Sequence, residues 1–220
     1  MNNTNQFVIY PHPANSEPQP DLEPKDKLIY LAIRRYMNHQ TMECFPSYAK
    51  ITEDTGAASK TIKKCVENLV KEGYLKTRKQ GRSIIYTFNN QKYFEPYSYD
   101  FLDKPDLTFT EKAYIVATHQ YMFKNENEGQ LGYTNKELSN LINMPESTIS
   151  KCNRSLEKKG YLEGASDLIK KFPQDKLNLI FIAKFKDQDS KIEKNSNDIA
   201  ELKRQLKQLL SERDCKTIIL

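Results

Sequence analysis

The sequence has no tryptophan, only three histidines and only seven glycines in 220 residues, and its four cysteines form no Cys-x-x-Cys pair. So little glycine, mostly placed at turns, argues against a glycine-rich phosphate-binding loop. The histidines lack the spacing of metal ligands and lie far in sequence from plausible serine or cysteine nucleophiles (His12, His39, His119). We therefore predict no enzymatic activity, no metal ion and no cofactor.

Long apolar runs are also missing. No stretch of about 18 apolar residues occurs, so no transmembrane helix and no membrane partner are expected. The N-terminus lacks the basic and apolar regions of a signal peptide. The cysteines are interpreted as small buried residues in a reducing compartment (Cys44, Cys65, Cys152, Cys215). These features predict a cytoplasmic protein.

The charge is positive and unevenly distributed. The formal net charge is +5, and residues 25–88 hold 13 Lys and Arg against six Asp and Glu. Residues 107–186 hold 12 against nine. An excess of cations on one part of a chain favours a polyanionic partner, although a solvated lysine surface would have the same composition.

The chain also contains an internal repeat. Residues 61–75 read TIKKCVENLVKEGYL and residues 148–162 read TISKCNRSLEKKGYL, with nine of the fifteen positions identical. Upstream, residues 22–37 and 107–122 match more weakly. A repeat of this length suits a small domain rather than a solenoid unit. We therefore predict one small fold used twice, over residues 25–90 and 107–187.

In the first copy, apolar spacing and end signals predict three helices and a hairpin. The helices are expected at Lys27–Asn38, from Ser47 to Gly56 and from Ser59 to Gly73. The third helix has apolar residues at helical spacing, which predict its buried face (Ile62, Cys65, Val66, Leu69, Val70). Two β-type runs flank Gln80-Gly81 and predict the hairpin.

The second copy predicts the same order. Its first helix is expected at Glu111–Phe123, and its second between the cap Thr134 and the turn residue Asn143. The inward residues of its second and third helices are expected to be Leu138, Leu141, Ile142, Ile149, Cys152 and Leu156. Gly160 ends the third helix, and a longer wing is expected from Tyr161–Leu168 and a buried strand Leu177–Phe185.

Four further segments are predicted. Residues 1–24 form a proline-rich arm whose FVIY piece, residues 7–10, packs on the protein. Residues 91–106 form a linker whose aromatic residues dock the two copies or, alternatively, stack on bases (Tyr93, Phe94, Tyr97, Tyr99, Phe101). Residues 190–213 form a helix, either the seam of a homodimeric coiled coil or a helix packed on its own domain (Ile192, Ile199, Leu202, Leu206, Leu209). Residues 214–220 are a tail.

Helix, helix, tight turn, helix and hairpin is the order of a winged helix-turn-helix. The predicted fold class is therefore mainly α with small β wings, with two tandem domains of this kind and a C-terminal helix or short coiled coil. In this fold the exposed face of the third helix enters the major groove of DNA, and the wing contacts the backbone or the minor groove.

This geometry selects the candidate DNA-binding residues. In the first copy they lie on the third helix and the hairpin (Ser59, Lys60, Thr61, Lys63, Lys64, Lys76, Arg78, Lys79, Arg82). In the second copy they lie on the third helix only (Ser147, Ser150, Lys151, Arg154). Lysine and arginine suit phosphate and guanine contacts, and serine and threonine suit phosphates or base edges. Glu146 opposes DNA binding in the second copy, whose wing loop is expected to hold Lys170, Lys171 and Lys176.

The first copy also resembles the winged helix-turn-helix domains of phage and plasmid proteins. The shared features are Pro46-Ser47 before the second helix, the glycine turn at Gly56, Thr61-Ile62 at the start of the third helix and Gly73-Tyr74-Leu75 at its end. Ala58 departs from the serine cap usual there, and the second copy departs at Asn143 and Pro145. The tandem arrangement is similar to that of plasmid replication initiators.

Two functions are expected from these observations. The first is sequence-specific binding of double-stranded DNA by a homodimer that regulates transcription or initiates replication, which is what the resemblance implies. The second is a protein-docking or scaffold module of a polymerase, replisome or phage assembly, because the same fold also serves such roles.

Overall fold

The structure, a computed structural model, describes residues 7–11, 22–89, 94–124, 128–173, 175–176 and 180. Only the backbone is described at residues 94, 95, 123, 124 and 128. Over these ranges the chain forms seven α-helices, a short 3-10 helix and three small antiparallel sheets. This is the mixed class, helices with small sheets, that the sequence predicted.

The N-terminal part consists of β1 Phe7–Pro11, α1 Pro24–Arg34, β2 Glu43–Cys44, α2 Tyr48–Thr55, α3 Ser59–Lys71, β3 Leu75–Gln80 and β4 Ser83–Phe88. The C-terminal part consists of β5 Phe94–Ser98, α4 Tyr99–Leu102, α5 Phe109–Thr118, the 3-10 helix His119–Tyr121, β6 Phe123–Lys124, β7 Glu128–Gly132, α6 Asn135–Ile142, α7 Glu146–Lys158 and β8 Ile169–Pro173. The sheets have the orders β2-β4-β3, β6-β7-β8 and β1-β5.

Helix α1 is the central element of the first copy. It runs from Pro24 to Arg34, so the predicted bounds Lys27–Asn38 are wrong at both ends. Proline suits the first helical position, and the preceding backbone N–H donates to the Asp26 carboxylate at 3.1 Å. After Arg34 the chain tightens into i→i+3 hydrogen bonds. Every residue from Asp26 to Arg34 is buried, because α1 packs against α2, α3, β1 and α5.

Helices α2 and α3 confirm most of the local predictions. The Ser47 hydroxyl accepts a hydrogen bond from the third helical N–H at 3.2 Å, and Gly56 and Gly73 adopt φ values of 76° and 74°. The predicted face of α3 is buried at Ile62, Cys65, Val66 and Leu69. Val70 is 38 % exposed, so its predicted burial is wrong. At about 100° per residue, Val70 lies at the edge of that face, about 80° from Ile62.

The hairpin turns one residue later than predicted. Gln80 pairs with Ser83, so the two turn residues are Gly81 and Arg82 rather than Gln80 and Gly81. Gly81 has φ of 60°, a conformation that the first turn residue of a tight hairpin needs and that glycine adopts without steric cost.

The first helix of the second copy also starts earlier than predicted. Helix α5 spans Phe109–Thr118 instead of Glu111–Phe123, and the 3-10 helix follows it. Thr108 and Glu111 form a capping box, with the Thr108 N–H donating to the Glu111 carboxylate at 2.7 Å. This reciprocal pair fixes the start of the helix.

Helices α6 and α7 follow the predicted pattern with one exception. Thr134 caps α6, and Asn143 ends it at φ of 51°. Leu141 is 41 % exposed although it was expected to face inward. It lies about 80° from the midpoint of the buried pair Leu138 and Ile142, at the margin of the buried face. Helix α7 buries its predicted residues Ile149, Cys152 and Leu156.

The predicted strand bounds of the second copy's wing are wrong. Strand β8 pairs with β7, which precedes α6, and neither lies in the predicted ranges 161–168 and 177–185. Within residues 161–168 only Glu163 pairs with a strand, through an isolated bridge to Lys171 with backbone hydrogen bonds of 2.8 and 2.9 Å. Ile180, the one described residue of the second range, is helical and buried. A short apolar run fits a buried helix as well as a strand, and the pairing of β8 with β7 joins residues about 40 positions apart.

The linker docks the two copies, as predicted. Strand β5 pairs with β1 along Phe7–Pro11, which confirms that the N-terminal piece packs on the protein. Tyr97 and Phe101 are buried, so neither can stack on bases. The Tyr99 hydroxyl donates to the Arg35 carbonyl at 2.9 Å, and the Arg35 guanidinium binds the Asp103 carboxylate through two hydrogen bonds of 2.5 and 2.7 Å. Helices α1 and α5 pack together in the core.

The remaining predictions fall outside the described residues. They concern most of the arm 1–24, Tyr93, Cys215, and the C-terminal segment with its proposed seam (Ile192, Ile199, Leu202, Leu206, Leu209). Cys44, Cys65 and Cys152 are buried free thiols, as predicted.

Candidate nucleic-acid interface

The exposed face of α3 carries the predicted set of polar and basic residues. Ser59, Lys60, Lys63 and Lys64 are exposed, and Thr61 is half-buried. The first turn of α3 contains no acidic residue, so nothing there repels a phosphate. The Lys63 ammonium lies 3.9 Å from the Glu67 carboxylate, but both side chains are about two-thirds exposed. Such an exposed pair contributes little, so Lys63 stays available to another anion.

The β3–β4 hairpin extends this basic surface. Lys76, Arg78, Lys79 and Arg82 are all exposed, and residues 75–88 contain no acidic residue. Arg78 is paired, however, because its guanidinium lies 3.2 Å from the Glu43 carboxylate on β2. Glu43 also accepts a hydrogen bond from the Thr87 hydroxyl at 3.2 Å. Sequence reasoning missed this pair because it joins residues that only strand pairing brings together.

Buried aromatic rings hold α3 and the hairpin on α1. Tyr30 contacts the rings of Tyr10, Tyr74 and Phe88 at centroid distances of 5.5, 6.0 and 5.3 Å. The guanidinium of Arg34 donates to the Tyr30 hydroxyl at 2.5 Å and lies 5.2 Å from the Phe88 ring centre. Burial raises the pKa of Tyr30 to about 12. The basic surface therefore rests on a packed aromatic core.

A polar contact near the start of the first helix also ties it to the third helix in both copies. In the first copy the Asn68 amide donates to the buried Asp26 carboxylate at 2.6 Å. In the second copy Glu111 takes the same place and binds the Lys159 ammonium at 2.7 Å. Burial works to raise the pKa of Glu111, but hydrogen bonds from Lys159 and Ser155 hold it below its usual value. The third helix is therefore fixed in each copy.

Each of these first helices also buries a lysine at its equivalent position. Burial lowers the pKa of Lys27 to about 8, and its ammonium lies 5.9 Å from the Tyr10 ring centre. Burial likewise lowers the pKa of Lys112, whose ammonium donates to the Leu102 carbonyl at 2.6 Å. Neither lysine can contact DNA, because both are buried.

The corresponding face of α7 is less basic. Ser147, Lys151 and Arg154 are exposed and Ser150 is half-buried, but Glu146 is exposed in the first turn. The Arg154 Nε–H donates to the Ser150 carbonyl at 3.3 Å. The structure thus keeps the predicted side chains of α7 near the surface, beside an acid that repels phosphate.

A loop flanks α7 where the first copy has its wing. A cleft of about 690 Å³ lies between this loop and α7, and Ser150 and Arg154 line it. The Ala165 N–H donates to the Glu157 carboxylate at 3.0 Å and fixes the loop to the helix. Lys170, expected in an exposed wing loop, is buried and donates to the Tyr133 carbonyl at 2.9 Å, so it is not a phosphate contact.

Comparison with known proteins gives one match. Residues 21–75 match a family model described as a helix-turn-helix domain, and this range contains α1, α2 and α3. Comparisons with curated proteins and with solved structures gave no significant match. Within the described residues there is no helix long and apolar enough to cross a membrane, and no cluster of potential metal ligands. The first copy therefore has the helix-turn-helix fold of DNA-binding domains.

Proposed function

We propose that the protein binds double-stranded DNA in a sequence-specific manner, with α3 in the major groove and the β3–β4 hairpin as a wing. One observation carries the proposal: α3 of the matched domain and the hairpin after it present eight exposed Lys and Arg residues and one exposed acid, Glu67. Side chains on a rigid helix face are suited to reading base edges, and those of a wing to binding phosphates.

We further propose that the second copy is a winged helix-turn-helix of diverged surface. The order α5, α6, α7 and a small sheet supports this, as does the shared contact of its first and third helices. Strand β8 pairs with β7 as β4 pairs with β2 in the first copy, and Glu163 after α7 forms an isolated antiparallel bridge with Lys171 of β8 where the first copy has its hairpin. With fewer cations on α7, this copy adds less to DNA affinity than the first.

The biological role that we propose rests on the resemblance of the first copy to phage and plasmid proteins. We propose a cytoplasmic regulator of transcription or initiator of replication that works without a cofactor and without catalytic activity. We further propose that it acts as a homodimer through the C-terminal segment, so that two protomers bind a repeated or palindromic site.

Selection from a random duplex library tests this function. We expect enrichment of a defined site, and binding of that duplex should weaken steeply with salt, as counterion release requires. A palindromic site would support the dimer, and a single composite site would support tandem binding by one protomer. Failure to bind any duplex at low salt would contradict the proposal.

Docking of another protein on the second copy is the second candidate. It is favoured by Leu168, which is 58 % exposed beside the α7 cleft, and by the exposed Glu146. Such docking would persist after nuclease treatment and would be lost when Leu168 is changed to Asp. A Leu168→Asp variant that captures the same proteins as the wild type would count against it.

A further inference from the structure

An exposed aromatic residue lies on the outer face of the first copy's sheet. Phe45 directly follows β2 and is 73 % exposed, more than the other large exposed apolar residues of the described chain. The residue before it, Cys44, pairs with the buried Tyr86 on the inner face. Because side chains alternate along a strand, Phe45 belongs to the opposite, outer face.

The outer face forms a cleft of about 580 Å³ between Phe45 and the hairpin. Arg78 pairs with Ile85 across the two strands, and both residues line the cleft together with Phe45. Glu43 holds the Arg78 guanidinium at 3.2 Å from one side, while more than half of the arginine side chain stays exposed. The cleft therefore places an aromatic ring beside an oriented guanidinium.

We infer that Phe45 and Arg78 form a second DNA contact, in which the Phe45 ring packs on a deoxyribose or base edge of the minor groove beside Arg78. This inference rests on the proposed function and adds a site that neither α3 nor the tip of the hairpin provides. Proteins that enter the minor groove combine basic residues with apolar wedges, among them phenylalanine.

Charge supports DNA as the occupant. The hairpin that borders the cleft has four cations and no acid, and the one acid lining the cleft, Glu43, is already bound to Arg78 and Thr87. Arg78 is the one cation of the hairpin that lines the cleft, and the other three extend the basic surface beside it, so a polyanion is attracted to this side of the cleft. The ring adds contact with sugars and bases that does not depend on phosphate charge.

The second copy lacks this feature. Counted from the caps Ser47 and Thr134, the position of Phe45 corresponds to Gly132 at the end of β7. A side chain at Gly132 would meet nothing within 4 Å, so packing does not explain the glycine. The aromatic residue thus accompanies the basic hairpin and is missing where that hairpin is missing.

Two variants test the inference on the selected duplex. Phe45→Ala should weaken binding by roughly 5- to 100-fold while the slope of log affinity against log salt is unchanged, because an apolar contact with a sugar or base edge is removed and no charge is changed. Its thermal unfolding should match the wild type, since the side chain is exposed. Phe7→Ala, which truncates an exposed phenylalanine on β1 outside the proposed interface, is the matched control and should bind as the wild type does.

Phe45→Trp gives a direct readout. The chain has no tryptophan, so the emission of this variant reports on position 45 alone, and duplex should quench it at the concentrations that give binding. Two results would overturn the inference and leave the proposed function standing. One is a Phe45→Ala variant that binds the duplex as tightly as the wild type, and the other is a Phe45→Trp variant that binds the duplex without quenching of its emission. Absence of DNA binding by the wild type would overturn both.

Discussion

Replacing the buried Lys27 by methionine should stabilise the protein at neutral pH. Lys27 lies inside the first copy, where burial lowers its pKa from 10.5 to about 8. Burial alone causes this shift, no described charged residue offsets it, and the Lys27 ammonium lies 5.9 Å from the Tyr10 ring centre. Methionine has a similar length and no charge to bury, so it can fill the same space.

The magnitude follows from the pKa difference between the folded and unfolded states. A shift of about 2.5 units corresponds to roughly 3 kcal/mol at about 1.36 kcal/mol per unit. Below pH 8 the Lys27 ammonium is protonated in both the folded and the unfolded state, so the full free-energy cost of burying its charge opposes folding. Between pH 8 and 10.5 the unfolded state binds more protons, so stability rises with pH, and above 10.5 the penalty is gone.

Urea unfolding of wild type and Lys27→Met at several pH values measures this effect. The variant should exceed the wild type by up to about 3 kcal/mol at pH 7, and the difference should shrink as the pH rises toward 10.5. Lys76→Met, at an exposed position, is the control and should show no such trend. A Lys27→Met protein that is less stable than the wild type at pH 7, or a difference independent of pH, would refute the reasoning.

Three other outcomes are expected. Leu69→Ala should lower the free energy of unfolding in urea by about 2–5 kcal/mol, and Val70→Ala by less than about 1 kcal/mol, because of the two only Leu69 is fully buried. Equal losses would mean that α3 turns a different face to the core. Asn68→Ala should cost about 1–3 kcal/mol, since it leaves the buried Asp26 carboxylate without this partner, and an unchanged midpoint would contradict that. Arg35→Ala should increase hydrogen exchange in residues 94–103 while α2 and α3 keep their protection, and uniform exchange would show that the Asp103 pair does not dock the linker.

The features predicted correctly from the sequence are local ones. The Ser47 cap, the glycine and asparagine turns and the buried face of α3 each depend on residues a few positions apart. The starts of α1 and α5 were wrong because capping pairs set them, Glu23 with Asp26 and Thr108 with Glu111. Apolar spacing alone does not place an end.

The errors that matter for the site concern non-local pairing. Strand β8 pairs with a polar segment before α6, which no periodicity marked, so the return strand of the second copy was placed in the wrong residues. The Arg78–Glu43 pair and the Phe45 cleft arise only when β2, β3 and β4 assemble. A lone phenylalanine before Pro46 gives no sequence signal of exposure.

The salt dependence of DNA binding tests the central claim, that α3 of the first copy contacts the phosphates and bases of DNA. Lys60 and Lys64 are exposed on α3, and Lys136 and Lys158 are exposed on α6 and α7, so two double alanine variants each remove two positive charges. The slope of log affinity against log salt is negative. On the selected duplex, Lys60→Ala with Lys64→Ala should make it less steep by about 1.8, because each phosphate that is no longer neutralised reduces its magnitude by about 0.9. Lys136→Ala with Lys158→Ala should leave the slope unchanged. Equal slopes for the two variants, or a larger decrease in the second, would contradict the assignment of DNA binding to α3.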